Sequence, residues 1–387
     1  MKTRTIRAFR RSGDSVGIRN HVIVLSCVCC ANSIAERIAW ADKEVIPITH
    51  PHGCAHLSED REQVLRTLSG TCSNPNVGGV LLVGLGCESI NVHDLSARIP
   101  TENRIVKTLV IQEIGGMGRI METGLASLRE IKDFVRRQER EEVDISSLVV
   151  GLECGGSDPF SGITANPAVG QVSDRLVELG ATVILSEVPE MIGAEAALEA
   201  RIPDEAVRRE LFSRIAAYVQ AAKDAGCDLR GVNPSPGNIE AGISTIEEKS
   251  LGCIIKGGRS DIKEFVPYGQ APARRGLVVM DTPGQDPESV TGMVAGGASV
   301  ILFTTGLGTP VGNPVAPVLK ISSNTRTYRN MREFMDINAG RIVEGGDVHA
   351  VADEIFQFLL EVCNGRETAA EVNACREFAI NRIGVTF

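Results

Sequence analysis

The chain has 387 residues, 43% of them hydrophobic and 23% charged, with a formal net charge of −9. That length allows a large buried core divided among two or three domains. The acidic balance argues against a general nucleic-acid binder, and neither a signal peptide nor an apolar run near the roughly 18 residues of a membrane span is present. A soluble, cytoplasmic protein acting on small molecules is therefore expected. The eleven cysteines are spread along the sequence rather than packed into a small disulfide framework, so reduced thiols are expected.

In chain order, the run Val16-Gly-Ile-Arg19-Asn20-His21 leads into a predicted strand, Val22 to Leu25. Arg19 is placed either to hold a substrate carboxylate in a bidentate fork or to stitch the terminus down through an ion pair. A second strand, Val45 to Thr49, runs into His50-Pro-His52-Gly-Cys54-Ala-His56, a loop holding half of the six histidines. Imidazole and thiolate both suit transition metals, although this spacing matches no zinc motif. The apolar run from Gly78 to Val83 ends in Gly84-Leu-Gly86-Cys87-Glu88, which has two glycines of a dinucleotide fingerprint but lacks the third. A strand over Ile105 to Gln112 and a long charged helix reaching about Glu142 follow.

The stretch Gly151 to Asn166 sets Cys154, Ser157, Asp158, Thr164 and Asn166 between a strand, Leu148 to Leu152, and a helix, Ala168 to Leu179. It is the first candidate site, since loops at the C-terminal ends of parallel strands line ligand crevices. Beyond it come a strand over Ala181 to Leu185 ending in Ser186-Glu187, a helix from Asp204 to Ala225, and the stiff loop Asn233-Pro-Ser-Pro-Gly-Asn238. A helix then carries Glu247, Glu248 and Lys249, with Cys253 and Lys256 beyond. Strands over Leu277 to Met280 and Ser299 to Phe303 each reach a polar crest, the second beginning Thr304-Thr305-Gly306, of the kind that cradles carboxylates through backbone N–H groups. Val348 to Cys363 is an amphipathic closing helix. The alternation of β and α segments predicts an α/β chain of doubly wound, mostly parallel sheets built from Rossmann-like βα units, in two domains spanning 1–142 and 143–387.

Three Gly-Cys or Cys-Gly pairs stand at predicted strand ends: Gly53-Cys54, Gly86-Cys87 and Cys154-Gly155. In a parallel sheet the three thiols point to one edge, where they either grip a metal ion or a [4Fe–4S] cluster or remain three unrelated buried thiols.

Taken together, Val16-Gly-Ile-Arg-Asn20, Gly84-Leu-Gly-Cys-Glu88, Cys154-Gly-Gly-Ser-Asp158, Ser161-Gly-Ile-Thr-Ala-Asn166, Asn233-Pro-Ser-Pro-Gly-Asn238 and Phe303-Thr-Thr-Gly306 resemble the altronate and galactarate dehydratase family over nearly the whole chain. The resemblance implies an iron-dependent lyase that removes water from a sugar acid to leave a 2-keto-3-deoxy acid. The large subunit of sulfolactate sulfo-lyase is similar, which makes sulfite release from a three-carbon acid the alternative. Family members that are single chains carry a small SAF-type domain, so a separate small subunit of that type, within an oligomer, is the implied partner.

Elimination from a 2-hydroxy acid requires a Lewis acid, a cation for the carboxylate and a base for a weakly acidic α-hydrogen. Iron, as Fe2+ or a [4Fe–4S] cluster on Cys54, Cys87 and Cys154, answers the first need, and Arg19 with Asn20 the second. His52 is the favoured base because imidazole titrates nearest pH 7, with Glu88, Glu187 and Lys256 as rivals. Ser157, Asp158, Thr164, Asn166, Asn238, Thr304 and Thr305 are the expected substrate contacts. A nicotinamide-dependent oxidoreductase and a non-catalytic metal-binding subunit are the remaining readings.

Overall fold

The computed structural model describes residues 5–229, 232–384 and 386. Strands β1 (Thr5–Arg10) and β2 (Val16–Gly17) open the chain as an antiparallel pair. Next, β3 (His21–Ser26), β4 (Val45–Ile48), β5 (Val77–Gly84) and β6 (Ile105–Val110) build a parallel four-stranded sheet in the order β4-β3-β5-β6. β7 (Glu141–Asp144) then returns to pair antiparallel with β1. Finally β8 (Val149–Gly155), β9 (Thr182–Leu185), β10 (Ile262–Val266), β11 (Gly276–Met280), β12 (Val300–Thr305), β13 (Val318–Ser322) and β14 (Ile337–Asn338) form a parallel seven-stranded sheet in the order β10-β11-β9-β8-β12-β13-β14.

The fold is therefore mixed α/β with parallel sheets. Parallel strands are covered on both faces and read as continuous apolar runs, and β5, β9, β11, β12 and β13 are buried at every position. One face of the large sheet contributes Ile184, Met280 and Phe303 to the same core as Leu25, Val80 and Leu82 of the small one. Helices Ser58–Ser73 and Asp286–Ala295 meet across that core, so closely that a Cβ on Gly70 would lie 2.3 Å from the Ala295 carbonyl oxygen. The closing helix Val348–Cys363 starts where Asp347 accepts from the N–H groups of His349 and Ala350, and it buries Val351, Ile355, Leu359 and Val362.

Topology fixes where a site can form. β8 leads to β9 on one side of the sheet, while its other neighbour β12 leads to β13 on the opposite side. The C-terminal ends of β8 and β12 thus flank a switch point, the place where open parallel sheets hold ligands. The expected strand over Leu148 to Leu152 extends to Gly155, because pairing with β12 continues through Cys154 opposite Thr304 and Gly155 opposite Thr305. Cys154 is accordingly fixed in a sheet and not in a loop. The charged helix is Met117–Val135 and ends before Glu142, which lies in β7 opposite Arg7. Among the described residues, no helix is long and apolar enough to cross a membrane.

Candidate active site

Beyond β9 the backbone of Glu187 turns left-handed (φ 67°), a conformation that side chains beyond glycine rarely adopt and that costs about 1–3 kcal/mol. Its N–H donates to Thr282 Oγ1 at 2.7 Å, and the turn sends its carboxylate back toward the end of β8. There Glu187 Oε2 accepts from the Cys154 N–H at 3.0 Å and from Lys256 Nζ at 2.7 Å. Lys256 is reached because helix Ile246–Ile254 and its following turn carry Lys249, Cys253 and Lys256 at spacings of four and three, which share one helical face.

The result is a sealed cluster. Lys256 Nζ lies 2.7 Å from Cys253 Sγ and 3.2 Å from Cys154 Sγ, and the two sulfurs are 3.5 Å apart. Glu190 joins through Oε2, 3.5 Å from Cys154 Sγ, while its Oε1 pairs with Lys249, whose ammonium also donates to Asn233 Oδ1 at 2.7 Å. Burial opposes the charge on Lys256, but Cys154, Cys253, Glu187 and Glu190 together push its pKa well above the ordinary lysine value, so it is an ammonium. Cys253 as a hydrogen-bonding neighbour, with burial, pushes the Cys154 thiol up, and burial does the same to the Glu187 carboxyl.

Ligand atoms of Cys154, Glu187, Glu190 and Cys253 all lie within 4.8 Å of one another, the one such group found among the described residues. Glu187 Oε1 is buried with no hydrogen-bond partner. Two thiols and two carboxylates suit a divalent transition metal, so the donor set fits. A cavity of about 200 Å³ opens beside it, lined by Ser157, Asp158, Asn166, Lys249 and Cys253. Three larger clefts, of about 980, 840 and 610 Å³, are lined by none of the cluster residues.

The sequence-predicted residues fall into three groups. Cys154, Glu187 and Lys256 meet in the cluster. Ser157, Asp158 and Asn166 wall the cavity, and Thr164, Asn238, Thr304 and Thr305 brace that wall: Asp158 Oδ1 accepts from the Ser161 N–H and from the Ser161 and Ser323 hydroxyls, and Oδ2 accepts from Asn324. Asn238 donates to the Ser157 carbonyl, Thr304 to Asn166, Asn166 to the Gly252 carbonyl and Thr164 to the Ser323 carbonyl, while Thr305 Oγ1 accepts from the Gly308 N–H. Glycine is required where these walls touch, since a Cβ on Gly306 would lie 2.4 Å from Asp158 Cγ.

The third group lies elsewhere. The structure does not bring the sulfurs of Cys54 and Cys87 to Cys154. Both are exposed on the crest of the four-stranded sheet, beside Ser89 Oγ at 3.6 Å and Gln112 Nε2 at 3.5 Å. The expected common edge assumed one parallel sheet, and among the described residues the thiols lie on two. Arg19 is spent on structure: it forms a two-pronged ion pair with Glu371 at 2.7 and 2.8 Å and donates to the Ile18, Val362 and Arg366 carbonyls. Asn20 Oδ1 accepts from Arg11, and its amide donates to the Val135 carbonyl. His52 packs between His50 and His56, and burial with Arg382 and His56 nearby pushes it down to about 4, too weak a base near pH 7. Glu88 Oε2 accepts from the Leu85 and Gly86 N–H groups, occupying the backbone donors a dinucleotide pyrophosphate would need. Glu190, Cys253 and Lys249 were not assigned to a site from sequence, although Glu187-x-x-Glu190 and the 249/253/256 spacing signal them.

The cluster lies at the C-terminal ends of β8 and β9, beside the switch point, and its paired acids and ammonium groups can take and give protons. The D-galactarate/altronate dehydratase C-terminal model matches residues 145–386, and the D-galactarate dehydratase/altronate hydrolase second-domain model matches 8–135. The chain belongs to the D-galactarate/altronate dehydratase family. It is 37% identical to an altronate dehydratase of Bacillus subtilis over 100% of this chain and 79% of that one. It is 35% identical to the (2R)-sulfolactate sulfo-lyase subunit beta of Chromohalobacter salexigens over 99% and 98%, and 35% identical to the galactarate dehydratase (L-threo-forming) of Escherichia coli over 94% and 73%. Like the rest of the family the chain is a lyase.

Proposed function

We propose that the chain removes water from a sugar acid of the altronate or galactarate type, giving a 2-keto-3-deoxy acid, with the cluster at β8 and β9 as its catalytic centre, iron as its metal and a small SAF-type subunit as its partner. The observation that carries this reading is the position of Cys154 Sγ between Glu190 Oε2 at 3.5 Å and Lys256 Nζ at 3.2 Å.

Elimination requires one group that takes a proton and another that gives one, and the site has both. The substrate enters the small cavity, where the Lys249 ammonium anchors its carboxylate. Glu190 Oε1, which faces Lys249, takes the proton from the carbon bearing the 2-hydroxyl. Lys256 Nζ, 2.7 Å from Cys253 Sγ on the cavity wall, holds the proton for the departing 3-hydroxyl. The enol left behind tautomerises to the 2-keto acid. The proton taken by Glu190 replaces the one lost by Lys256 and resets the site. Cys154, Glu187, Glu190 and Cys253 would hold a divalent iron through thiolates and carboxylates, and it would supply Lewis acidity for the departing hydroxyl.

The test is 2-keto acid formation from altronate and galactarate by anaerobically prepared protein with its partner, beside metal and acid-labile sulfide analysis. Keto acid with iron and no sulfide supports the reading; no turnover on any sugar acid contradicts it. The near end-to-end match to the sulfo-lyase subunit supports a second reading, release of sulfite from sulfolactate, and a sulfite assay on the same preparation separates the two.

A further inference from the structure

Six large apolar side chains stand 40–57% exposed on segments around the cavity: Phe160, Ile163, Ile239, Leu251, Ile255 and Leu307. Four segments carry them, and these segments are locked together. The Asn238 amide donates to the Ser157 carbonyl at 2.9 Å, and the Asn166 amide donates to the Gly252 carbonyl at 2.7 Å. A Cβ on Gly162 would lie 3.1 Å from Gly252 Cα, one on Gly156 3.4 Å from Leu307 Cβ, and one on Gly237 3.7 Å from Leu307 Cδ1. Ile163, Leu251 and Ile255 themselves line the cavity mouth. The apolar groups therefore stand on one interlocked set of segments beside a polar site, a collar whose grouped exposure marks an interaction surface. Scattered exposed apolar residues are ordinary; six on interlocked segments beside one cavity are not.

The lengths of the relatives indicate the occupant. The altronate dehydratase carries about a fifth of its length outside the match and the galactarate dehydratase about a quarter, whereas the sulfo-lyase subunit beta is matched over 98% of its length and by its name works with another subunit. The first two thus hold an extra part that the third lacks, and the third by its name has another subunit beside it. The geometry points to the collar as the seat of that small companion subunit, which closes the cavity mouth with an apolar face. This inference rests on the partner named in the proposed function and adds where it docks.

The probe is the intact subunit that pairs with the Chromohalobacter salexigens subunit beta, titrated onto the full-length chain by calorimetry, with hydrogen exchange read over residues 156–164, 236–241 and 246–256. One-to-one binding that protects these segments is expected. Phe160→Asp and Leu251→Asp are expected to weaken it at least tenfold, while Trp40→Asp, an exposed apolar position on the N-terminal domain, leaves it unchanged. Because both collar positions are exposed, circular dichroism confirms that the variants keep their fold. Absence of binding, binding that protects other segments, or collar protection that grows with chain concentration without the probe, as a second copy would give, overturns the proposal. The readout uses no substrate, so its failure leaves the lyase chemistry to be judged by the keto acid assay alone.

Discussion

Lys256 and Glu187 form a salt bridge at 2.7 Å with neither side chain exposed to solvent. Such a pair contributes little net stability when intact, but removing one partner strands a buried charge and costs about 3–5 kcal/mol. Lys256→Met is therefore expected to lower the urea midpoint strongly at unchanged slope. The double variant Lys256→Met/Glu187→Gln should recover much of the loss. Additive losses in this cycle would contradict the pairing.

Glu190→Gln keeps the shape of the site and removes its proton acceptor. Keto acid turnover should fall by about 10²–10⁴, the usual worth of a positioned base, with KM changed little. Lys249→Met, which removes the proposed carboxylate anchor, should raise KM instead. A Glu190→Gln variant with undiminished kcat would place the base elsewhere.

Arg19 separates a binding role from a structural one. Its guanidinium is held by Glu371 and three carbonyls, so Arg19→Met should destabilise the fold by about 3–5 kcal/mol while KM at permissive temperature stays the same. A selective rise in KM at unchanged stability would restore the substrate role.

Much of the framework was legible because parallel strands leave long apolar runs: the cores of β3, β5, β9 and β11 follow directly from them, and Asp204 and Val348 mark helix starts where expected. β1, β2 and β7 were not, since β2 is two residues long and the edge strand Glu141–Asp144 buries only Val143 and is defined by pairing with β1 at the far end of the small-sheet segment. The site was half legible. Cys154 and Glu187 stood out at strand ends and Lys256 beyond a helix, but Glu190 lies a turn beyond Glu187, and Cys253 reads like any core cysteine until tertiary packing brings it to Lys256. Cys54 and Cys87 occupied the same kind of strand-end position on a different sheet, which sequence spacing cannot distinguish.

Asp286 offers a pH test. A Cβ on Gly155 would lie 2.2 Å from its carboxylate, and burial together with Glu187 and Glu190 pushes it up to about 7 from an ordinary 3.8. Between those values the folded chain holds a proton that the unfolded chain has released, so its contribution to stability falls as pH climbs through that window and levels off above about 7. In metal-free protein, subtracting the Asp286→Asn stability curve from that of the parent should show this decline. A difference that rises with pH would contradict it.

Bound iron and turnover measured side by side in four anaerobically prepared cysteine variants decide where the chemistry takes place. Cys154→Ser and Cys253→Ser are expected to lose most of both, whereas Cys54→Ser and Cys87→Ser keep the parent's iron and its rate within about twofold, as surface substitutions generally do. Loss of iron in Cys54→Ser and Cys87→Ser, with Cys253→Ser unaffected, would move the catalytic centre to the N-terminal sheet and contradict the account.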